Sequence, residues 1–221
     1  MNTSPSFPIS KHNLQGTLGF SFLLAVVALC IVTSNPAYGG KDFGQALSQA
    51  AQERTKHFVI YNGNYRKISY PNGDVPSHFG VCTDVVIRSY RSLGIDLQKL
   101  VHEDMKAHFK SYPKNWGLKR TDTNIDHRRV PNLQVFFSHK GQSLKVTQNP
   151  KDYKTGDLVT WKLNNNLPHI GIVVHRRSEN GKRPLIVHNI GAGPMLEDRL
   201  FDFKITGHYR YTGKQPPSPH E

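Results

Sequence analysis

The sequence is poor in cysteine, with only Cys30 and Cys82 among its 221 residues. Cys30 lies inside an apolar N-terminal stretch that resembles a secretory signal, so Cys82 is the one cysteine expected in the mature chain. A protein with a single cysteine cannot be held together by a disulfide framework of its own. A lone thiol in an exported protein indicates chemical reactivity, and Cys82 is therefore the first candidate for a functional residue.

Acidic residues are also scarce: 16 Asp and Glu stand against 29 Lys and Arg, which gives a formal net charge of +13. A charge of this size favours polyanionic surroundings. The chain shows no nucleic-acid-binding motif, and we expect no nucleic-acid partner. For an exported protein, the anionic cell envelope is the partner that the charge favours.

A signal peptide is predicted over residues 1–39. Lys11 and His12 precede the apolar run Leu18 to Val32, and small residues precede a cleavage point after Gly39. The run is shorter than the ~20 residues that a membrane-spanning helix needs, so we expect no stable membrane span after cleavage. An uncleaved membrane anchor is the alternative. Cleavage would remove Lys11, lower the net charge to +12 and leave a periplasmic or secreted protein.

The rest of the chain predicts one α+β domain over residues 40–212, followed by a disordered Pro-rich tail over residues 213–221. Apolar residues at helical spacing predict three helices and a further short one, and the pattern changes to period two in the C-terminal half. We therefore expect N-terminal helices packed on a C-terminal antiparallel sheet. The predicted helices cover residues 42–56, 82–93 and 97–110, with the short one over residues 132–138; the predicted strands cover residues 66–70, 157–162, 170–174, 185–188 and 207–211.

Cys82 is predicted to start the second helix, where free N–H groups and the helix dipole favour the thiolate. His169 opens one predicted strand and His188 ends the next, and a hairpin can place the two histidines side by side. A thiol, a base and an orienting group are the parts that nucleophilic catalysis requires. Asn189 is an alternative orienting group, although its side chain should point to the opposite face from that of His188.

The order of these motifs resembles that of the NlpC-type cell-wall hydrolases, which have a papain-like fold. The resemblance rests on the helix-start Cys82, Gly156-Asp157-Leu158-Val159, His169-Ile170-Gly171-Ile172-Val173 and Val187-His188. It implies that Cys82 is the nucleophile, His169 the base and His188 the orienting group. The sequence departs from the family at the nucleophile, where Val81-Cys82-Thr83 replaces Asp-Cys-Ser, and in a longer hairpin between the histidines.

The chain also resembles, over nearly its whole mature length, a bacterial family of small exported proteins known as a domain of unknown function. The stretches that carry this similarity include Gly80-Val-Cys-Thr-Asp-Val, Ile125-Asp-His-Arg-Arg-Val-Pro-Asn-Leu and His188-Asn-Ile-Gly. This resemblance supports the fold and the export of the protein without implying a substrate.

Six further residues are candidates for substrate binding. Tyr70 resembles the tyrosine that lines the nucleophile in NlpC-type sites, with packing as its alternative role. Asp84 could contact a substrate amine or interact with the dipole of its own helix. A long polar loop is often functional, and an arginine in it could bind a substrate carboxylate through two hydrogen bonds, with a structural ion pair as the alternative. The loop residues concerned are Asp126, His127, Arg128 and Arg129.

The sequence thus predicts an exported thiol hydrolase that cleaves an amide bond in peptidoglycan peptides. An acyltransferase on the same scaffold and a non-catalytic module that binds anionic envelope polymer are the alternatives. A zinc site built from Cys82, His169 and His188 is less favoured, because no closely spaced pair of ligands accompanies it. We therefore expect neither a metal nor another cofactor.

Overall fold

The computed structural model describes residues 40–214 of the chain. The predicted signal peptide lies outside the described residues, and so does the predicted tail from residue 215 onward. Among the described residues, no helix has the length and apolar character needed to cross a membrane.

The described part of the chain is a mixed α+β domain, as the sequence predicted. Its four α-helices are α1 (Gly40–Arg54), α2 (Cys82–Arg91), α3 (Leu97–Ala107) and α4 (Val130–Lys140). Two short strands, β1 (Ile60–Tyr61) and β2 (Phe79–Gly80), pair in parallel just before α2. The strand predicted over residues 66–70 is wrong, since this stretch is an irregular connection between β1 and β2.

The main sheet has six antiparallel strands in the order β3-β8-β4-β5-β6-β7. Four of these strands correspond to the predicted ones, whereas β3 and β7 were not predicted. The strands are β3 (Gln142–Ser143), β4 (Leu158–Lys162), β5 (Pro168–Arg177), β6 (Pro184–His188), β7 (Met195–Glu197) and β8 (Lys204–Arg210).

Each face of the sheet buries its own apolar cluster, because alternate residues of a strand point to opposite faces. Ile170, Ile172 and Val187 pack with the helices, and Cys82 belongs to this larger cluster. Trp161 and Val173 belong to a smaller cluster on the other face. The helix α2 buries most of its residues, so its first residue is fixed relative to β5 by packing along the whole helix.

Asp157, just before β4, is a fully buried carboxylate that joins β8 to the turn preceding β4. It accepts hydrogen bonds from His208 Nε2 at 2.7 Å, from Arg210 Nε at 2.7 Å and from the Lys154 backbone N–H at 2.8 Å. A buried charge is tolerated when it is paired and hydrogen-bonded in this way. The aspartate of the Gly-Asp-Leu-Val motif therefore locks β8 to β4.

Replacing Asp157 with Ala should lower the free energy of unfolding by about 3 kcal/mol, because the buried donor of His208 and the partly exposed donor of Arg210 lose their acceptor. Urea denaturation measures this loss. The exposed Asp152 contacts Thr147 and Asn149 at the surface, and Asp152→Ala should cost less than about 1 kcal/mol. Equal losses in the two variants would show that the Asp157 network does not hold the sheet.

Candidate functional site

Cys82 is the first residue of α2, and its thiol lies at an unpaired position of the central sheet. Val173 donates its N–H to Asp157, so by alternation along the strand the N–H of Ile170 points towards β6. β6 ends at His188, before it reaches Ile170. The Ile170 N–H instead interacts with the Cys82 thiol and favours its thiolate form. The thiol therefore lies beside the residue that follows His169.

Burial raises the pKa of the Cys82 thiol to about 12, and the nearby Asp84 charge adds to this increase. The backbone N–H groups of Ile170, Thr83 and Cys82 favour the thiolate, but they do not compensate for the loss of solvent. The helix start was expected to favour the thiolate, and its N–H groups do lower the pKa of the thiol. The effect of burial on this pKa is larger and has the opposite direction. In the resting protein the thiol is neutral.

His169 and His188 form a buried pair, with His169 Nε2 and His188 Nδ1 2.7 Å apart. Gly171 provides the space for this contact. A Cβ atom at Gly171 would lie 3.1 Å from the Cβ of His188 and 2.7 Å from a methyl carbon of Ile186. The glycine of the His-Ile-Gly-Ile motif thus allows the imidazole of His188 to reach across β5 to His169.

Glu197 extends the pair into a chain of three residues. Its Oε2 lies 2.8 Å from His188 Nε2, and its Oε1 accepts from Arg199 Nε at 3.1 Å. An ionised carboxylate only accepts hydrogen bonds, so His188 carries its proton on Nε2 and leaves Nδ1 as an acceptor. His169 must then donate from Nε2. Its Nδ1 is left with a free lone pair, which is the state that a general base requires.

Burial, and after it the neighbouring His188, lowers the pKa of His169 to about 3. Burial also lowers the pKa of His188, against an opposing effect of Glu197. Although burial alone would raise the pKa of Glu197, hydrogen bonds from Arg199 and His188 bring it below its ordinary value. The chain therefore rests as two neutral imidazoles and one carboxylate.

Asp84 and Arg128 form a buried ion pair beneath the start of α2. Arg128 donates from Nε and Nη2 to the two carboxylate oxygens of Asp84, each at 2.9 Å. Asp84 also accepts the N–H of Val81 at 2.7 Å and so caps the helix. Thr83 donates to the carbonyl of Arg128 at 3.1 Å. These contacts explain both residues as supports for the nucleophile, and direct substrate contact stays a prediction.

The stretch Asp126–Arg128 forms a buried 3₁₀ turn within the predicted polar loop, packed against α2, α3 and α4. Burial raises the pKa of Asp126 to about 6 and, together with Arg128, lowers that of His127 to about 3. Arg129 lies 3.5 Å from Asp126 and stacks over the Trp116 ring. Substrate binding by these residues stays a prediction, with Arg129 the most exposed of them.

Tyr61, 45% exposed, is a second tyrosine near the start of α2, and substrate contact by Tyr70, 40% exposed, stays a prediction. Burial raises the pKa of Tyr61 to about 12, and the charges of Cys82 and Asp84 contribute. Tyr61 pairs with Gly80 in β1 and β2, which brings it to the start of α2. Tyr70 is partly exposed and packs edge-on against His102, at 5.2 Å between ring centroids.

Sequence reasoning missed both Tyr61 and Glu197. Tyr61 stands in Tyr-Asn-Gly-Asn, a stretch with the composition of a turn. Glu197 lies in a three-residue strand after a glycine-rich loop, too short for a period-two pattern to appear. An acidic residue shortly after His188 was the available signal, although its pairing with β6 depends on the register of the folded sheet.

Among the described residues, one set of side chains has the ligand geometry of a metal site: Asp104, His108 and His139. Asp104 already accepts from the Tyr112 hydroxyl at 2.6 Å and lies 3.3 Å from Lys140 Nζ. A lysine at this distance disfavours a second cation. Cys82, His169 and His188 are not such a set in the described part of the chain, and the histidine pair already uses one nitrogen of each ring for its mutual contact.

The comparisons with known proteins identify the family of this α+β domain. The family described as "Domain of unknown function (DUF1287)" matches residues 48–211, and the chain belongs to this family. It is also similar to the uncharacterized protein YijF of Escherichia coli (strain K12). The two are 50% identical over 166 residues, which cover 75% of this chain and 80% of the relative. The matched family range includes Cys82, His169, His188 and Glu197.

Replacing Gly171 with Ala should displace the His188 ring and break its hydrogen bond to His169, with a loss of stability of about 1–3 kcal/mol from overpacking. The slowly exchanging imidazole N–H signal of the pair in a proton NMR spectrum and urea denaturation measure the two effects. Ile172→Val on the same strand removes a methylene from the other face, and should reduce stability but keep the signal. An intact histidine pair in Gly171→Ala would contradict this account of the motif.

Proposed function

We propose that the protein is an exported cysteine hydrolase of the papain-like NlpC type, which cleaves an amide bond in peptidoglycan peptides. The observation that carries the proposal is the chain from Glu197 through His188 to His169, on the strand whose Ile170 N–H favours the Cys82 thiolate. Such a chain fixes a base in the tautomer that can accept the thiol proton. The order of the sequence motifs adds the resemblance to cell-wall hydrolases.

In the proposed reaction, His169 Nδ1 takes the proton of Cys82 as the sulfur attacks the substrate carbonyl. The resting thiol and imidazole are both neutral, because burial opposes either charge. The charge pair therefore forms only with the substrate in place, when the imidazolium of His169 is stabilised through His188 by the Glu197 carboxylate. This arrangement protects the thiol from reaction with solvent oxidants between turnovers.

The attack produces a tetrahedral oxyanion, to which the Cys82 backbone N–H can donate from the start of α2. His169 then gives its proton to the leaving amine, and the acyl group remains on Cys82 as a thioester. Water, deprotonated by His169, hydrolyses the thioester and restores the thiol. The strongly basic composition supports a substrate in the anionic cell envelope.

Replacing Cys82 with Ala should abolish cleavage of purified muropeptides, because no acyl-enzyme can form. Product release followed by liquid chromatography and mass spectrometry measures this. Wild-type activity should survive a strong metal chelator and disappear after treatment with iodoacetamide, which separates the thiol mechanism from a zinc mechanism. Cleavage by Cys82→Ala at the wild-type rate would refute the proposed nucleophile.

Two replacements of Glu197 should lower kcat to different extents, because one removes only its charge and the other also removes the acceptor that fixes the His188 tautomer. Glu197→Gln keeps an acceptor for His188 but removes the charge, and kcat should fall about tenfold. Glu197→Leu removes both, and kcat should fall about a hundredfold. The expected KM is unchanged, since Glu197 does not contact the substrate.

The pH dependence of kcat/KM provides a further measurement on these variants. Protonation removes the base only as the pH falls towards the His169 pKa of about 3, so the wild type should stay active at about pH 5. An ordinary histidine, with a pKa near 6.5, would be mostly protonated there. A wild-type profile that loses activity through about pH 6.5, or full activity in Glu197→Leu, would contradict the role of the chain.

A further inference from the structure

A pocket of about 340 Å³ lies beside the start of α2. Its walls are the end of α1, α2 together with Val81, the segment 74–80 that precedes α2, and the loop that follows His188. The side chains of Cys82 and His169 do not line it, so the pocket lies next to the start of the helix and not around the proposed catalytic groups.

Three buried N–H donors on the walls of this pocket have no hydrogen-bond partner in the described part of the chain. They are Arg54 Nε, Arg91 Nε and the side-chain amide nitrogen of Asn189. Asn189 is fully buried, and its Oδ1 is already an acceptor for the Gly191 N–H at 3.0 Å. A buried donor without an acceptor is costly, and three around one cavity indicate an occupant that accepts hydrogen bonds.

The charges around the pocket favour an anionic occupant. Arg88 and Arg91 both pair with Asp74, and the Asp84 charge is taken by Arg128. Arg54 forms no ion pair with any described residue, and its Nη2 donates only to His57 Nε2 at 3.0 Å. Burial, and then the nearby Arg88, lowers the pKa of Arg54, against smaller opposing effects of Glu53 and Asp74.

We propose that this pocket binds a carboxylate of the substrate, held by Arg54 and Asn189 with a contribution from Arg91. The proposal rests on the proposed function for its link to the thiol, since it assigns an acidic group to the peptide whose amide bond Cys82 attacks. A carboxylate has two coplanar acceptor oxygens and can take two N–H donors of a guanidinium at once. The remaining donor of Asn189 then selects the orientation of the group.

The binding test uses the full chain carrying Cys82→Ala, so that turnover plays no part. Glutarate is the probe, glutaramide is its uncharged analogue, and inorganic phosphate is the competing anion, all at constant ionic strength. The readout is the ¹H–¹⁵N NMR signals of the arginine Nε–H groups and the asparagine side-chain amides. Glutarate should shift the Arg54 and Asn189 signals to saturation, and glutaramide should leave them unchanged.

Adding Arg54→Gln should weaken glutarate binding at least about tenfold, the usual effect of losing a charge-assisted hydrogen bond. Arg176→Gln removes an equal charge from the exposed end of β5, away from the pocket, and should leave the affinity unchanged. Failure of glutarate to saturate, an equal response to glutaramide, or an unchanged affinity in Arg54→Gln would overturn the proposal. Tighter binding of phosphate than of glutarate would overturn the carboxylate assignment.

Two further results separate this proposal from the proposed function. If the wild type cleaves no muropeptide while Cys82→Ala binds glutarate through Arg54, the hydrolase proposal fails and the anion site stands. If cleavage depends on Cys82 but Arg54→Gln has the wild-type kcat/KM and glutarate does not bind, the anion site alone fails.

Discussion

The interaction of the Ile170 backbone N–H with the Cys82 thiol is the contact on which the candidate site depends. β6 ends at His188 and pairs no residue with Ile170, which leaves this N–H free to interact with the first residue of α2. The buried faces of α2 hold the helix in that position, and the Asp84–Arg128 pair supports it from below. A side chain with nucleophilic chemistry thereby takes a position that backbone normally occupies.

Burial raises the pKa of the Cys82 thiol and lowers the pKa of the His169 imidazole. Both shifts favour the neutral form of the group. Glu197 is the one charged member of the chain, placed two contacts away from His169. The site therefore keeps its charge at a distance from the buried imidazole of His169.

The sequence predicted the parts of the site that local pattern controls. The start of α2 at Cys82 follows from its apolar stripe, and the hairpin with His169 and His188 follows from period-two alternation. The contacts that depend on strand register and long-range pairing could not be predicted from the sequence. Glu197 reaches His188 only through the pairing of β6 with β7. Composition was misleading around Asp126–Arg128, because a run of charged residues does not reveal that its ion-pair partner lies 44 positions away.

β7 lies at the edge of the sheet, so the chain from His169 to Glu197 is buried at its histidine end and reaches solvent at its Glu197 end. The side chain of Glu197 is 22% exposed, whereas that of His188 is 2% exposed. The carboxylate of a three-residue strand thus connects the interior His188 to the bulk solvent, and the pairing of β7 with β6 holds that connection in place.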